Sequence, residues 1–355
     1  MMIDGKAIVY CEGYFNTPWG KTAHGLLRFT QRYNVAAVID STYAGRDAGS
    51  VLDGRHNGIP VVASIDEALE THQDSTHMVF GIAPDGGILP HNMKSDILHA
   101  VSLGLHVDCG MHYFISEDPD ISAAAEKSGS VIRDVRRTPP RHELHPFTGR
   151  IKEVQSFRIA LLGTDSSVGK RTSAWKLVRA LQEHGISTEF IGTGQTAWLQ
   201  GAEYGVIMDS LINDFVAGEI EHAILRAWDE KRPDCLIIEG QGSLMNPLYP
   251  GGFEILSAGQ PHGIVMQHAP LRKDYDGIPG TPVHPLDVQI QAVELISGKP
   301  VTAITINHEQ MQQDEIDSWC KRIAEETGLP TCDPLIHTMD EIVHDLIRMM
   351  KDRQL

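Results

Sequence analysis

Short apolar runs rich in Val and Ile alternate with longer amphipathic stretches along the whole chain. Strands that alternate with helices in this way are typical of a parallel sheet covered by helices, so the pattern predicts an α/β protein. In the first half, apolar runs predict strands at residues 7–13, 35–41, 59–64, 77–83 and 106–110. The segments between them carry apolar residues at helical spacing, which favours a Rossmann-like parallel sheet.

A segment without apolar periodicity separates this first series of strands from a second one. Residues 135–150, VRRTPPRHELHPFTGR, are rich in Pro, Arg and His and form the best candidate for a domain boundary. The chain has 355 residues, more than a single core usually holds. We therefore predict a Rossmann-like N-terminal domain over residues 1–140, a connector over 141–150 and a second α/β domain over 151–355. The strands predicted in the second domain are FRIALLG, STEFIGT, CLIIEG, GIVMQHA and PVTAITIN.

The most informative motif follows the strand predicted at residues 158–162, where FRIALLGTDSSVGKRTSAWKLVRAL gives a strand, a loop and a helix in succession. Glycines let the backbone approach an anion, the N–H groups of the loop and of the helix start carry partial positive charge, and Lys170 adds a full charge. The second domain is thus predicted to be P-loop NTPase-like and to bind a nucleotide or a nucleotide-containing cofactor. The predicted cofactor-binding residues are Gly163, Thr164, Asp165, Ser166, Ser167, Val168, Gly169, Lys170, Arg171 and Thr172.

This loop departs from the usual pattern G-x-x-x-x-G-K-[ST] in two ways. Five residues separate Gly163 from Gly169, one more than usual. Arg171 stands where a Ser or Thr usually binds Mg²⁺, and Thr172 and Ser173 follow one position late. The second departure calls metal-assisted phosphoryl transfer into question, and we predict no metal site.

Two further polar segments follow predicted strands. CLIIEGQGSL, residues 235–244, places Glu239 where nucleotide enzymes of this class carry an acidic residue beside the P-loop. Glu239 could hold a metal, act as a base or only fix the turn. GTGQTAW, residues 192–198, would bring Gln195 to the same edge of the sheet, either as a substrate contact or as part of a plain polar loop.

A basic cluster follows another predicted strand, in MQHAPLRKDYDG at residues 266–277. Arginine binds carboxylates and phosphates bidentately, so this cluster predicts a clamp for such a group, with a solvated loop as the alternative. The candidate residues in this segment are His268, Arg272, Lys273, Tyr275 and Asp276.

Composition narrows the partners and the compartment. The formal net charge of -17 would repel a polyanion over most of the surface, so we expect no nucleic acid partner. The five cysteines are scattered and form no C-x-x-C pair, which fits a reducing cytoplasm. The N-terminus reads as no export signal and no long apolar run predicts a membrane span. On general frequencies, we expect a homo-oligomer acting on a small molecule.

The order of these segments resembles a bacterial and archaeal family long catalogued as a domain of unknown function. The resemblance covers the whole chain and rests on GTDSSVGKRT, IIEGQGS, HAPLRKDYDG and TINHE, which follow a Rossmann-like half and a connector rich in Pro and Arg. The longer phosphate loop is similar to that of dethiobiotin synthetase and its relatives. Members of this family resemble D-glutamate N-acetyltransferases in activity, which implies acetyl-CoA as cofactor and N-acetyl-D-glutamate as product.

The resemblance also suggests roles for the residues singled out above. Lys170 and the loop amides would anchor the cofactor, while Arg272 and Lys273 would bind the carboxylates of the amino acid. The sequence does not choose the base that deprotonates the amine. Its candidates are Glu239, His268, Asp209 and Asp214.

Two other functions fit the same motifs. One is an ATP- or GTP-dependent ligase or kinase that resembles dethiobiotin synthetase and uses ATP with Mg²⁺. The other is a nucleotide-responsive regulatory protein without turnover. All three share the phosphate loop and differ in the chemistry that follows binding.

Overall fold

The computed structural model describes residues 3–84 and 93–353. These residues divide into two compact units, each built on its own sheet. The first unit contains residues 3–139 together with Gln195–Ala202, and the second contains Pro140–Gly194 and residues 203–353. The chain thus leaves the second unit for eight residues and then returns to it.

The first unit is a six-stranded parallel sheet in the order β3-β2-β1-β4-β5-β6, the strand order of a Rossmann fold. Its strands are rich in Val, Ile and Ala and are almost fully buried, as expected of a sheet covered on both faces. Its elements are β1 Gly5–Tyr10, α1 Lys21–Arg28, β2 Tyr33–Ile39, α2 Ala48–Asp53, β3 Val61–Val62, α3 Ile65–Thr71, β4 His77–Phe80, α4 Met93–Ser102, β5 His106–Cys109, α5 Pro119–Ser128 and β6 Ile132–Asp134.

The second unit is a seven-stranded parallel sheet in the order β13-β12-β11-β7-β10-β8-β9. Together the two sheets confirm the predicted α/β class. The elements that follow the connector are β7 Phe157–Gly163, α6 Lys170–Glu183, β8 Thr188–Gly192, α7 Gln195–Leu199, β9 Tyr204–Gly205, α8 Asn213–Lys231, β10 Cys235–Glu239, α9 Phe253–Gly259, β11 Gly263–His268, α10 Leu286–Ser297, β12 Val301–Ile306, α11 Ile316–Thr327, β13 Thr331–Cys332 and α12 Asp340–Arg353.

Strand β7 lies in the middle of the second sheet, and all of its residues are buried. Its neighbours are β10 and β11, which end at Glu239 and His268. In a parallel sheet, the carboxyl ends of the strands meet at one edge, so the loop after β7 lies between these two side chains. The topology therefore brings the predicted polar segments that follow β10 and β11 next to the phosphate loop.

Helix α7 packs within the first unit although the strands on either side of it belong to the second. Leu199 is fully buried in the hydrophobic core of the first unit. The amide Nε2 of Gln200 donates to the carbonyl oxygens of Gly25 and Phe29 at 2.8 Å each. The buried side chain of Leu199 and the two hydrogen bonds from Gln200 hold the segment Gln195–Ala202 on the first unit. We call this segment the strap.

Three further features concern the described residues as a whole. No helix over residues 3–84 or 93–353 is long and apolar enough to cross a membrane. Within the same ranges, no group of three or more His, Cys, Asp or Glu side chains has the arrangement of a metal site. All five cysteines are buried and free.

Candidate functional site

The loop between β7 and α6 exposes backbone N–H groups at the start of a helix. Ser167 and Gly169 adopt left-handed conformations, with φ of 54° and 104°. The amides of Ser167, Val168 and Gly169 donate to no group in the described part of the chain, and Gly169 gives α6 no side-chain cap. Unpartnered amides at a helix N-terminus form an anion-binding site, because the helix dipole adds to their partial positive charge.

The Lys170 side chain reaches back over this loop. Its Nζ donates to the carbonyl oxygens of Asp165 and Gly242, each at 2.7 Å. The side chain is 7% exposed, so the ammonium is held in place by the protein. Because Gly242 follows β10, Lys170 also ties the turn after that strand to the phosphate loop. The arrangement fixes a positive charge beside the free amides.

A buried carboxylate holds the loop in this shape. The side chain of Asp165 is fully buried and accepts four hydrogen bonds. Its Oδ1 accepts from Ser166 N and Asn246 Nδ2, both at 2.7 Å, and its Oδ2 accepts from Arg272 Nη1 at 2.9 Å and Asp276 N at 2.8 Å. Asp165 therefore fastens two other loops to the phosphate loop and does not face a ligand as a free anion.

Arg272 was predicted to bind the substrate, and in the structure its guanidinium is bonded mainly to other groups of the protein. Its Nη1 also donates to Ser166 O at 2.6 Å, while Nε and Nη2 donate to the two carboxylate oxygens of Glu309 at 2.7 Å each. With the bond to Asp165, four of the five N–H donors of a guanidinium are used within the protein. Arg272 mainly joins the phosphate loop to the loop after β12.

The other predicted substrate contacts have diverse surroundings. Lys273 is exposed and leaves its ammonium available to solvent. Tyr275 is 2% exposed and its hydroxyl meets His284 Nδ1 at 2.8 Å. Asp276 meets Asp165 through its backbone N–H. Gln195 begins α7 within the first compact unit and is mostly buried.

Glu239 is a buried carboxyl beside the loop. It is 4% exposed, and its Oε2 accepts from the backbone N–H of Thr193 at 2.8 Å. Burial raises the pKa of Glu239 above its usual range, although the positive charge of Arg171, the bond from Thr193 and the charge of Lys170 act in the other direction. Its Oε1 accepts no hydrogen bond from the described residues.

His268 lies on the other side of the loop, at the end of β11. Its Nδ1 is 3.0 Å from Thr164 Oγ1. Burial, assisted by the nearby charge of Arg272, lowers the pKa of His268 to about 4. The imidazole is therefore neutral at pH 7, but it is a weak base.

The two remaining acidic candidates, Asp209 and Asp214, are exposed. Asp214 lies in the first turn of α8, where a carboxylate interacts favourably with the helix dipole. Asp209 lies in a short turn ahead of that helix.

Gln267 is a polar residue of the site that the sequence reasoning missed. It is 2% exposed, and its Oε1 accepts from the hydroxyls of Ser173 and Thr305. Its Nε2 donates to no described residue and would lie 3.7 Å from a β-carbon built on Gly169. The signal in the sequence was a glutamine inside the apolar strand GIVMQHA. Ser173 is one of the two hydroxyl residues that follow Arg171, and its hydroxyl is bonded to Gln267.

Two segments of the chain match the two domains of one protein family. Residues 145–343 match the family described as a domain of unknown function, DUF1611, P-loop domain. The chain belongs to the DUF1611 family. Residues 41–138 match its N-terminal Rossmann-like domain. The predicted pairing of a Rossmann-like sheet with a P-loop sheet is thereby confirmed.

Individual relatives agree with this assignment. A D-glutamate N-acetyltransferase from Tritonibacter scottomollicae is 30% identical over 275 residues, which cover 76% of this chain and 80% of that protein. One from a Pseudoalteromonas species is 29% identical with the same coverage. The crystal structure of a DUF1611 family protein from Anabaena variabilis superposes with a TM-score of 0.90 at 28% identity, covering 97% of this chain and 99% of that one.

Proposed function

We propose that this protein transfers the acetyl group of acetyl-CoA to the amino group of an acidic amino acid, with D-glutamate as substrate and N-acetyl-D-glutamate as product. The names of two relatives support the activity. The observation that carries the proposal is the row of unpartnered amides at Ser167, Val168 and Gly169 beside the fixed ammonium of Lys170. Such a loop can hold a diphosphate without breaking a phosphate bond.

The residues of the loop suit coenzyme A. The cofactor carries a diphosphate, which the loop amides and Lys170 would bind, and Gln267 Nε2 offers a further donor beside Gly169. Since no phosphate is transferred, Arg171 in place of a Mg²⁺-binding hydroxyl has no chemical cost. Acetyl-CoA supplies an acetyl group already activated as a thioester.

Among the candidates for the base, Glu239 has the most suitable chemistry. A raised pKa strengthens a carboxylate as a proton acceptor, and its Oε1 is free of hydrogen bonds from the described residues. In the proposed reaction, Glu239 accepts a proton from the substrate ammonium. The amine nitrogen then forms a bond to the carbonyl carbon as the C–S bond breaks, and the departing thiolate takes up the second proton that the nitrogen loses.

The amino acid itself also needs cations for its two carboxylates. Lys273 is exposed in the loop that Asp165 fastens, and its ammonium is a suitable partner for one carboxylate. Arg272 would support this contact indirectly, because most of its donors already bind Asp165 and Glu309.

Release of free thiol tests the proposal directly. The purified protein is incubated with acetyl-CoA and, separately, the D- and L-forms of glutamate and aspartate. We expect thiol release and N-acetyl-glutamate by mass spectrometry with D-glutamate, and strongly reduced release from Lys170→Ala. The proposal is wrong if none of the four amino acids releases thiol above the rate without amino acid.

A ligase or kinase resembling dethiobiotin synthetase is the second candidate, because Glu239 lies at a strand end beside the phosphate loop. It requires ATP or GTP and Mg²⁺, and it would release phosphate when its substrate is present. Phosphate release with the acidic amino acids and no thiol release from acetyl-CoA would favour this function over acetyl transfer.

A further inference from the structure

Helix α10 is apolar on the face that it turns to solvent as well as on the face that it buries. Val293 is 2% exposed and lies in the hydrophobic core of the second unit. Away from that core, Val288, Leu295 and Ile296 are 37%, 86% and 45% exposed, and half-buried Ala292 lies among them. These four residues, which we call the outer stripe, are spaced as on one face of a helix that packs against another element.

The outer stripe lacks the charges that usually cover a helix at the surface. Between Asp287 and Lys299 the only charged side chain is Glu294, and its Oε1 accepts from the backbone N–H of Val301 at 2.9 Å, at the start of β12. Helix α11 shows the usual surface pattern. Its exposed side chains include Asp317, Lys321, Arg322, Glu325 and Glu326. An apolar outer face is therefore a particular property of α10 and indicates that a further element packs on it.

Two opposite charges lie at the two ends of the outer stripe. Asp287 is exposed in the first turn of α10, and Lys299 is exposed just beyond its C-terminal end. Neither side chain forms a salt bridge with another described residue. A second α10 lying antiparallel across the stripe would bring its own Lys299 to Asp287 and its own Asp287 to Lys299. The face is thus complementary to itself, as a two-fold symmetric contact requires.

The charge of the chain indicates which partner fits the outer stripe. With a formal net charge of -17, two copies of the chain repel each other over most of their surfaces. The stripe is uncharged and ends in one negative and one positive side chain, so two copies attract each other there. Antiparallel helices also bring opposite ends of their dipoles together. A strongly acidic or basic partner would instead be repelled at one end of the stripe.

We propose that two copies of this chain associate through α10, with the two helices antiparallel about a two-fold axis beside Ala292. In this arrangement Val288 of each copy packs on Leu295 of the other, and Asp287 of each copy pairs with Lys299 of the other. Ala292 lies near the midpoint between Val288 and Leu295, and its small side chain lets the two helices approach closely. The inference does not depend on the proposed acetyl transfer.

The mass of the protein in solution tests this interface. Sedimentation over a range of micromolar concentrations should give at least twice the mass of one chain for the unaltered protein. Leu295→Asp places a carboxylate in the apolar contact and should halve that mass. Because Leu295 is 86% exposed, the variant should unfold at the same denaturant concentration as a single chain does. Leu103→Asp is the matched control, since Leu103 is 47% exposed in the first unit and away from α10, and it should keep the mass of the unaltered protein.

Three results of this experiment would overturn the proposal. The first is a single-chain mass for the unaltered protein at every concentration. The second is an unchanged mass for Leu295→Asp, which would place any contact between copies on another surface. The third is a mass halved equally by Leu295→Asp and Leu103→Asp, which would show that α10 has no special role.

Exchange of the end charges tests the antiparallel pairing itself. Asp287→Lys and Lys299→Asp each leave like charges at both ends of the contact, so each variant alone should raise the dissociation constant of the dimer by about tenfold. A mixture of the two variants restores opposite charges at both ends and should associate as tightly as the unaltered protein. The double variant should do the same. If neither the mixture nor the double variant associates more tightly than the single variants, the antiparallel pairing is wrong.

Discussion

The pKa values of two buried glutamates, Glu239 and Glu221, are shifted in opposite directions by their surroundings. Glu239 is enclosed with a single strong donor, and burial raises its pKa. Glu221 is 1% exposed, and burial alone would raise its pKa too. It accepts from Thr148 N, Thr148 Oγ1 and Ile151 N, and these bonds bring the pKa below its usual range. Glu221 is thus a structural anion, whereas Glu239 is suited to exchange a proton.

The two carboxyls should respond to pH with opposite signs when each is replaced by glutamine. A raised pKa means that ionisation of Glu239 destabilises the fold as pH rises, so Glu239→Gln should gain stability relative to the unaltered protein between pH 5 and pH 8. A lowered pKa makes ionised Glu221 stabilising above the pKa of the unfolded chain, so Glu221→Gln should lose more stability at pH 8 than at pH 4. Thermal unfolding across this pH range measures both.

The rate of acetyl transfer by the same two variants is a second, independent test. Loss of a general base typically costs about a hundredfold or more in rate, so Glu239→Gln should lower kcat for acetyl transfer by at least that factor. Glu221→Gln should retain kcat at temperatures where it is folded. A fully active Glu239→Gln variant would show that Glu239 is not the base, and His268 or solvent would then have to accept the proton.

At the scale of single residues, the sequence indicated candidates for the site but not the hydrogen-bond partners of their side chains. The phosphate loop was evident because its glycines, lysine and flanking elements are contiguous. Arg272 was predicted to bind the substrate because it lies in a basic cluster, and its bonds to Asp165 and Glu309, which lie far from it in sequence, could not be predicted. Which donor meets which acceptor depends on the strand order β12-β11-β7, and apolar periodicity carries no information about strand order.

Among the elements, those with long apolar runs were predictable and the very short ones were not. All seven residues of β7 are buried, and a run of that length is a clear signal. Strands β3, β9 and β13 have only two residues each. Strand β6 has three. Runs this short show no periodicity, so β6, β9 and β13 were not predicted and β3 was predicted too long.

Helix α6 offers a matched pair of glycines for a test of the phosphate loop. Gly169 caps its start with φ of 104°, and Gly185 follows its end with φ of 80°. A β-carbon would meet no atom closer than 3.7 Å at Gly169 and none within 4 Å at Gly185. Replacement by alanine therefore introduces only backbone strain, of about 1–2 kcal/mol at each position.

We expect Gly169→Ala and Gly185→Ala to lose similar stability in denaturant unfolding, while only Gly169→Ala loses affinity for ADP and coenzyme A. The reason is that the strain at Gly169 turns the free amides away from a bound phosphate. If Gly185→Ala weakened ligand binding as much as Gly169→Ala, general destabilisation would explain the result and the loop would not be the anion site.

Across the whole molecule, the strap is the feature that the sequence did not reveal. GTGQTAW was predicted to face the carboxyl edge of the second sheet because it directly follows a strand. The structure instead assigns Gln195–Ala202 to the first unit, where Leu199 joins the hydrophobic core. An eight-residue segment is too short to show by its composition which of two cores it enters.

A fragment experiment checks the importance of the strap. Residues 1–139 alone lack Leu199 and the amide of Gln200, so the fragment should melt at lower temperature than the same fragment with residues 195–202 attached through a Gly-Ser linker. Loss of one large buried aliphatic side chain typically costs about 2–5 kcal/mol. A linked version in which Leu199 and Gln200 are both replaced by alanine is the control, and equal melting of all three fragments would contradict the expectation.

The strap also limits how this pair of domains can be inherited. A gene fusion with one junction, placed at the connector, would deliver a first domain without the strap and a second domain with eight additional residues, Leu199 among them, that have no core to enter. Recombination that keeps both cores complete needs two additional breakpoints, one on each side of the strap. The two halves are therefore expected to have diverged together as a single evolutionary module, with compensating changes at Leu199 and the positions it contacts.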